Sequence, residues 1–177
     1  RLRYVGGAMP LPAAVETRDN GFTVRLNCRI DPSSVDVSGV FAEEWNYLYS
    51  AGYGSPEFCV GEPGRRGHDR VDVRSVHLLP DGTSIFVEVP QLHPVMQFHL
   101  YMNLKTAEGE TFEPDVYYSI VHLGEPFTDF DGYAAIAKHR APDFPVAESF
   151  PRDPRLVRQE QLEAVARRVH RLAALHP

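Results

Sequence analysis

Short segments in which apolar and polar residues alternate, each closed by a turn signal, recur from residue 13 to residue 123. Alternation at period two buries one face of a strand and leaves the other to solvent, so this pattern constrains the fold more than any other feature. In Gly21–Cys28, Phe22, Val24 and Leu26 share one face, while Thr23, Arg25 and Asn27 share the other. Asp19-Asn20-Gly21 ahead of it is a tight-turn signal that makes Ala13–Thr17 the preceding hairpin arm. Asp31-Pro32-Ser33-Ser34 ends the strand and starts a short helical turn. Further strands are expected over Val40–Tyr49, Val71–Leu79, Thr83–Val89, Gln97–Leu104 and Thr111–Leu123, with Pro80-Asp81-Gly82 and Glu108-Gly109 as turns. Six or seven short strands at near-regular spacing, with no helical periodicity before residue 130, predict an all-β antiparallel sandwich.

Beyond Gly124 the character changes. Pro126, Pro142, Pro145 and Pro151, with Pro154 just beyond, mark residues 125–153 as a Pro-rich extended strap with a brief helix candidate at Gly132–His139. Asp153-Pro154 is an N-cap followed by proline at the first helical position. Leu162, Val165, Val169 and Leu172 then recur at three- and four-residue intervals, so 154–177 reads as a C-terminal amphipathic α-helix. Its narrow apolar stripe needs a surface to pack on, either the sandwich or a partner. The division expected is a sandwich over 1–124, the strap over 125–153 and a basic helix over 154–177.

Lys+Arg 18 against Asp+Glu 24 gives a net charge of −6, which favours solubility and argues against general nucleic-acid binding. The 154–177 segment carries +3 of its own, leaving an acidic body beside a basic helix. With 13 Gly and 15 Pro in 177 residues, the composition is neither collagen-like nor low-complexity. No stretch approaches 18 uncharged apolar residues, the length of a membrane-spanning helix. A chain that starts at Arg1 without a signal-peptide pattern is expected to be a processed product or a piece of something longer.

The densest chemistry lies between residues 43 and 58. Trp45, Tyr47, Tyr49, Tyr53 and Phe58 stand close together beside Gly52 and Gly54. Buried, such a cluster is core and a self-packed loop; exposed, its flat rings suit sugar stacking or a protein interface. The sharing of one strand face by Trp45, Tyr47 and Tyr49 favours the buried reading. Glu43 and Glu44 are adjacent, so on a strand they point to opposite faces and cannot work as a close carboxylate pair.

The eight histidines include no pair at the spacing that pre-forms a metal site on one element, so no metal is expected. His93 and Met96 are residue types that ligate haem iron, but no attachment motif accompanies them. Gly64-Arg65-Arg66-Gly67 is a short basic loop, a solvated turn or an anion contact. No nucleophile elbow, P-loop or dinucleotide fingerprint is present, so no catalytic residue and no cofactor are assigned. Cys28 and Cys59 match no zinc or haem spacing; they are either bridged or two unrelated thiols.

Two resemblances attach to these residues. Val24-Arg25-Leu26 leading into Asp31-Pro32-Ser33-Ser34-Val35, with the later Asp81-Gly82-Thr83 hairpin, resembles bacterial Ig-like domains of surface and secreted proteins. Over residues 1–124 the chain also resembles a domain of large exported planctomycete and verrucomicrobial proteins, downstream of a sugar-dehydrogenase-like β-propeller and often with a c-type cytochrome module. The matching stretches are Arg3-Tyr4-Val5-Gly6-Gly7, Trp45-Asn46-Tyr47, Tyr53-Gly54-Ser55-Pro56-Glu57-Phe58, Gly67-His68-Asp69, Pro94-Val95-Met96-Gln97 and Tyr117–Gly124.

This resemblance implies an Ig-like, non-catalytic accessory or interaction domain of a larger periplasmic or extracellular protein or assembly, one that can include haem-containing redox modules. Its partners would be other domains or subunits, contacted through Trp45, Tyr47, Tyr49, Tyr53 and the Leu162/Val165/Val169/Leu172 stripe. The alternative is a carbohydrate-binding module that uses Trp45, Tyr47, Tyr49 and Tyr53. A third reading has His68 and Asp69 contribute to a neighbour's redox or hydrolytic site. Cys28 and Cys59 replace polar residues of that family, and this paired departure favours a disulfide, which export would permit.

Overall fold

The computed structural model describes Gly6, residues 9–48 and residues 54–139. Tyr49, Tyr53, the strap beyond His139 and the helix expected over 154–177 lie outside the described residues, and with them the stripe Leu162, Val165, Val169 and Leu172. The described chain is all-β. Its strands are β1 (Pro12–Arg18), β2 (Gly21–Leu26), β3 (Val40–Tyr47), β4 (Glu57–Phe58), β5 (Asp69–Arg70) and β6 (Ser75–Leu78), followed by β7 (Ser84–Glu88), β8 (Val95–Met102), β9 (Leu104–Lys105), β10 (Thr111–Phe112) and β11 (Asp115–Ile120).

Among the described residues the named strands all pair antiparallel. One sheet has the order β1-β2-β7-β6, a second the order β11-β8-β3-β4 with β5 also on β3, and β9 pairs β10. The Asp19-Asn20-Gly21 turn closes the first hairpin with Arg18 opposite Gly21. Asp31 and Asp36 cap two 3-10 turns, Pro32–Ser34 and Val37–Gly39, by accepting from the Ser33 and Ser38 amides. Asp81 sets the β6–β7 turn by accepting from the amides of Thr83 (2.9 Å) and Ser84 (2.8 Å).

The two sheets share one core, in which the alternation read from the sequence holds. Phe22, Val24 and Leu26 of β2 and Ile85 and Val87 of β7 meet Ala42 of β3 and Phe98, Leu100 and Met102 of β8. Phe22 and Phe98 touch across the layers with ring centroids 4.7 Å apart.

Two expected strands are divided. Val71–Leu79 is a strand only over Ser75–Leu78, because the chain changes sheets just before it. The Val71 amide still donates to Ala42 of the second sheet, whereas the Arg74 amide already donates to Glu88 of the first. Thr111–Leu123 is divided into β10 and β11, with the Pro114 carbonyl accepting from Met102 between them.

Strand β7 is buried throughout, on both faces. Its outward Phe86 is 0% exposed because Phe127 and Phe130, beyond Gly124, lie against it at 4.7 and 5.2 Å. Asn20 of the first turn clasps Phe127, donating to its carbonyl (2.7 Å) and accepting from its amide (2.8 Å). Lys138 donates to the backbone and carboxylate of Asp19 and to the Leu92 carbonyl. The brief helix expected at Gly132–His139 is absent: Asp131-Gly132 form a turn and residues 133–139 are not helical. Gln91 takes up their backbone instead, donating to the Ala137 carbonyl (3.2 Å) and accepting from the His139 amide (2.8 Å). No helix among the described residues is long and apolar enough to cross a membrane.

Candidate functional site on the outer face of the larger sheet

Strand β3 divides its side chains as the adjacent glutamates require. Glu43 points to the outer face of the larger sheet, and Glu44 turns the other way to become 8% exposed. On the outer face, the register places Glu43 opposite His99 of β8, and His99 opposite Tyr117 of β11. The loop between β4 and β5 adds His68.

That loop folds on local pairings. Phe58 bridges Arg66, and the Cys59 amide donates to the Arg65 carbonyl. Asp69 accepts from the Gly61 amide (2.6 Å) and from Arg65 (2.9 Å), which also pairs with Glu62 at 2.7 Å. Gly67 turns at φ +120°, a left-handed conformation that a side chain would strain, and so delivers His68 over Trp45. The two rings stack at 3.9 Å and 12°.

The result is an unbroken series of acid and imidazole. Glu57 lies 3.0 Å from His68 Nε2, and Glu43 Oε1 lies 3.1 Å from His68 Nδ1 and 3.2 Å from His99 Nδ1. Asp115 lies 2.6 Å from His99 Nε2. Tyr117, 59% exposed, stacks on His99 at 4.4 Å and 3° and meets Trp45 edge-on at 6.3 Å. Phe41 leans on His99, and the Arg70 guanidinium lies 3.9 Å over the Phe41 ring. Burial disfavours the His68 cation, but its hydrogen bonds to the Glu57 and Glu43 carboxylates outweigh it and raise the His68 pKa. Among the described residues, no group of three or more His, Cys, Asp or Glu is placed to hold a metal.

Of the aromatic residues singled out in the sequence, Trp45 is 6% exposed yet outside the inter-sheet core, covered by His68 on the outer face. Tyr47 is half-buried, its amide donating to Met96 Sδ at 3.3 Å. The Gly64–Gly67 loop carries no free cation, since Arg65 is paired twice and Arg66 lies over Phe58. His68 and Asp69 are both engaged within the loop. Glu43, His99, Asp115 and Tyr117 were not singled out as a group: they come from three strands, and only the register of β3, β8 and β11 unites them.

The disulfide expected between Cys28 and Cys59 is not formed; both are free thiols. Cys59 is buried beside Asp69 in the His68 loop, where burial and the Asp69 hydrogen bond push its pKa up. Cys28 lies past the end of β2, where burial and then Glu108 and Glu110 raise its pKa. Each thiol is held by its own neighbourhood, and neither has the electropositive setting of a reactive cysteine.

Fold and site together define an all-β, two-sheet domain with a structured outer face. No protein-family model and no curated protein matches the chain. Among solved structures, domains 1–6 of the surface layer protein SbsC are similar at 12% identity and a TM-score of 0.41, over 64% of this chain. The chain spans 14% of the length of that structure.

Proposed function

We propose that this chain is an Ig-like β-sandwich that serves as a non-catalytic accessory domain of a larger exported protein or assembly, and that it meets its partner through the outer face of the β11-β8-β3-β4 sheet. The observation that carries this reading is the exposed Tyr117 ring, stacked on His99 within the acid–imidazole series. A pre-ordered aromatic ring beside fixed polar groups loses little side-chain entropy on docking, which is how interface anchors gain affinity. Any dehydrogenase or electron-transfer chemistry belongs, on this reading, to other parts of the assembly. A glycan platform needs at least two accessible coplanar rings, and the burial of Trp45 under His68 removes the leading one.

The test is Tyr117→Lys in the cell's own copy of the protein. Loss of co-purification with its envelope assembly, with the melting of the isolated chain unchanged, is expected. Full retention of the variant in the assembly would overturn the reading, and a glycan-array signal abolished by the same substitution would replace it with the carbohydrate one.

A further inference from the structure

The chain changes sheets twice on the same side of the molecule, over residues 71–74 and again between β7 and β8. Between the two crossovers lies a cavity of about 490 Å3. That size is typical of small-molecule sites, which run from roughly 300 to 1,000 Å3. Its apolar walls are Val60, Val71, Pro90 and Ile136.

At its polar end sits Glu44, whose side chain is nine-tenths buried. His93 stands beside it, with Nε2 3.3 Å from Glu44 Oε1. His93 Nδ1 lies 2.9 Å from the Gln91 carbonyl. A carbonyl only accepts, so Nδ1 carries the proton and Nε2 of the neutral ring is an acceptor. That Nε2 is buried without a hydrogen bond. The pair therefore sets a carboxylate oxygen and an imidazole nitrogen side by side at the polar end of the cavity.

The two arginines that line the cavity, Arg70 and Arg74, are engaged elsewhere. Arg74 pairs with Glu88 at 3.5 Å, and Arg70 lies over Phe41. Asp69 of β5 and Asp72 of the crossover add negative charge, and His139 stands on the far wall. Burial and the Asp69 charge push Glu44 up to about 7.

We propose that this cavity binds a small organic cation with an apolar body, an amine or amidine whose N–H groups donate to Glu44 and His93 Nε2 while the body packs against Val60, Val71, Pro90 and Ile136. Binding to the ionised carboxylate expels its proton. Affinity therefore rises with pH through neutrality and levels off above it.

Benzamidine is a suitable probe for the folded chain, with uncharged benzamide and anionic benzoate as controls, followed by calorimetry and by the ring resonances of His93. Saturable benzamidine binding is expected, at least tenfold tighter than benzamide and about tenfold tighter at pH 8 than at pH 6. Glu44→Gln removes that preference, and Ile136→Trp, at a partly exposed wall position, fills the cavity with Glu44 intact and blocks binding. Equal affinity for benzamidine and benzamide, benzamidine binding unaltered in both variants, or no binding at about 10 mM would each overturn the proposal.

Discussion

His68 is held between two carboxylates and against the Trp45 ring, and its protonation is coupled to folding. Its pKa in the folded chain lies above the ordinary 6.5. The stability it contributes is therefore fully present below the unfolded value and is lost as pH rises through the folded one. The ring resonances of His68 should titrate above 6.5, and Glu57→Gln should lower the midpoint; a midpoint indifferent to that substitution would contradict the assignment. Glu44 acts in the same direction with pH, although there it is the neutral form that the fold favours. Its carboxyl is raised from 4.5 to about 7, so the fold loses stability as pH climbs through that interval. Glu44→Gln should raise stability at pH 8 by about 1–3 kcal/mol and change little below pH 4.5, as urea unfolding at the two pH values would show. The opposite directions of Glu43 and Glu44 were legible from adjacency on a strand. What each one faces was not, because His68, His93 and His99 reach them from distant segments.

Among the elements, β2 and β7 were the most legible. Phe22, Val24, Leu26, Ile85 and Val87 alternate in the sequence and are buried in the core. Phe86 was not legible, since its burial comes from Phe127 and Phe130, some forty residues on. The helix misread at Gly132–His139 has the same origin: its backbone is engaged by the Gln91 side chain, which local periodicity does not reveal. Asn20 was legible as a turn residue, yet it also ties the strap to the sheet. Asn20→Ala should cost about 1–3 kcal/mol, since it removes a carbonyl's donor and an amide's acceptor in a partly buried setting. Limited proteolysis should then cut faster within residues 125–139. Unchanged cleavage and unchanged melting would show that Phe127, Phe130 and Lys138 suffice to hold this stretch.

At the scale of the whole molecule, turn spacing conveyed the all-β antiparallel class but undercounted the strands. The periodicity over Val71–Leu79 continues through a change of sheet, since both sheets bury one face against the same core. The cavity between the crossovers and the outer-face series both arise from topology, which residue spacing along the chain does not display. The proposed partner surface is that outer face, whereas the covered Phe86 lies on the other sheet. Hydroxyl-radical footprinting of the protein in extracts of its own cells, where the proposed assembly would form, against the isolated chain, tests this most directly. Protection of Tyr117 and of Tyr101, which the alternation of β8 puts on the same face as His99, is the result predicted for the assembly, with the exposed Met9 and Leu11 just ahead of β1 equally oxidised in both samples. Equal oxidation of Tyr117 in the two samples would contradict it.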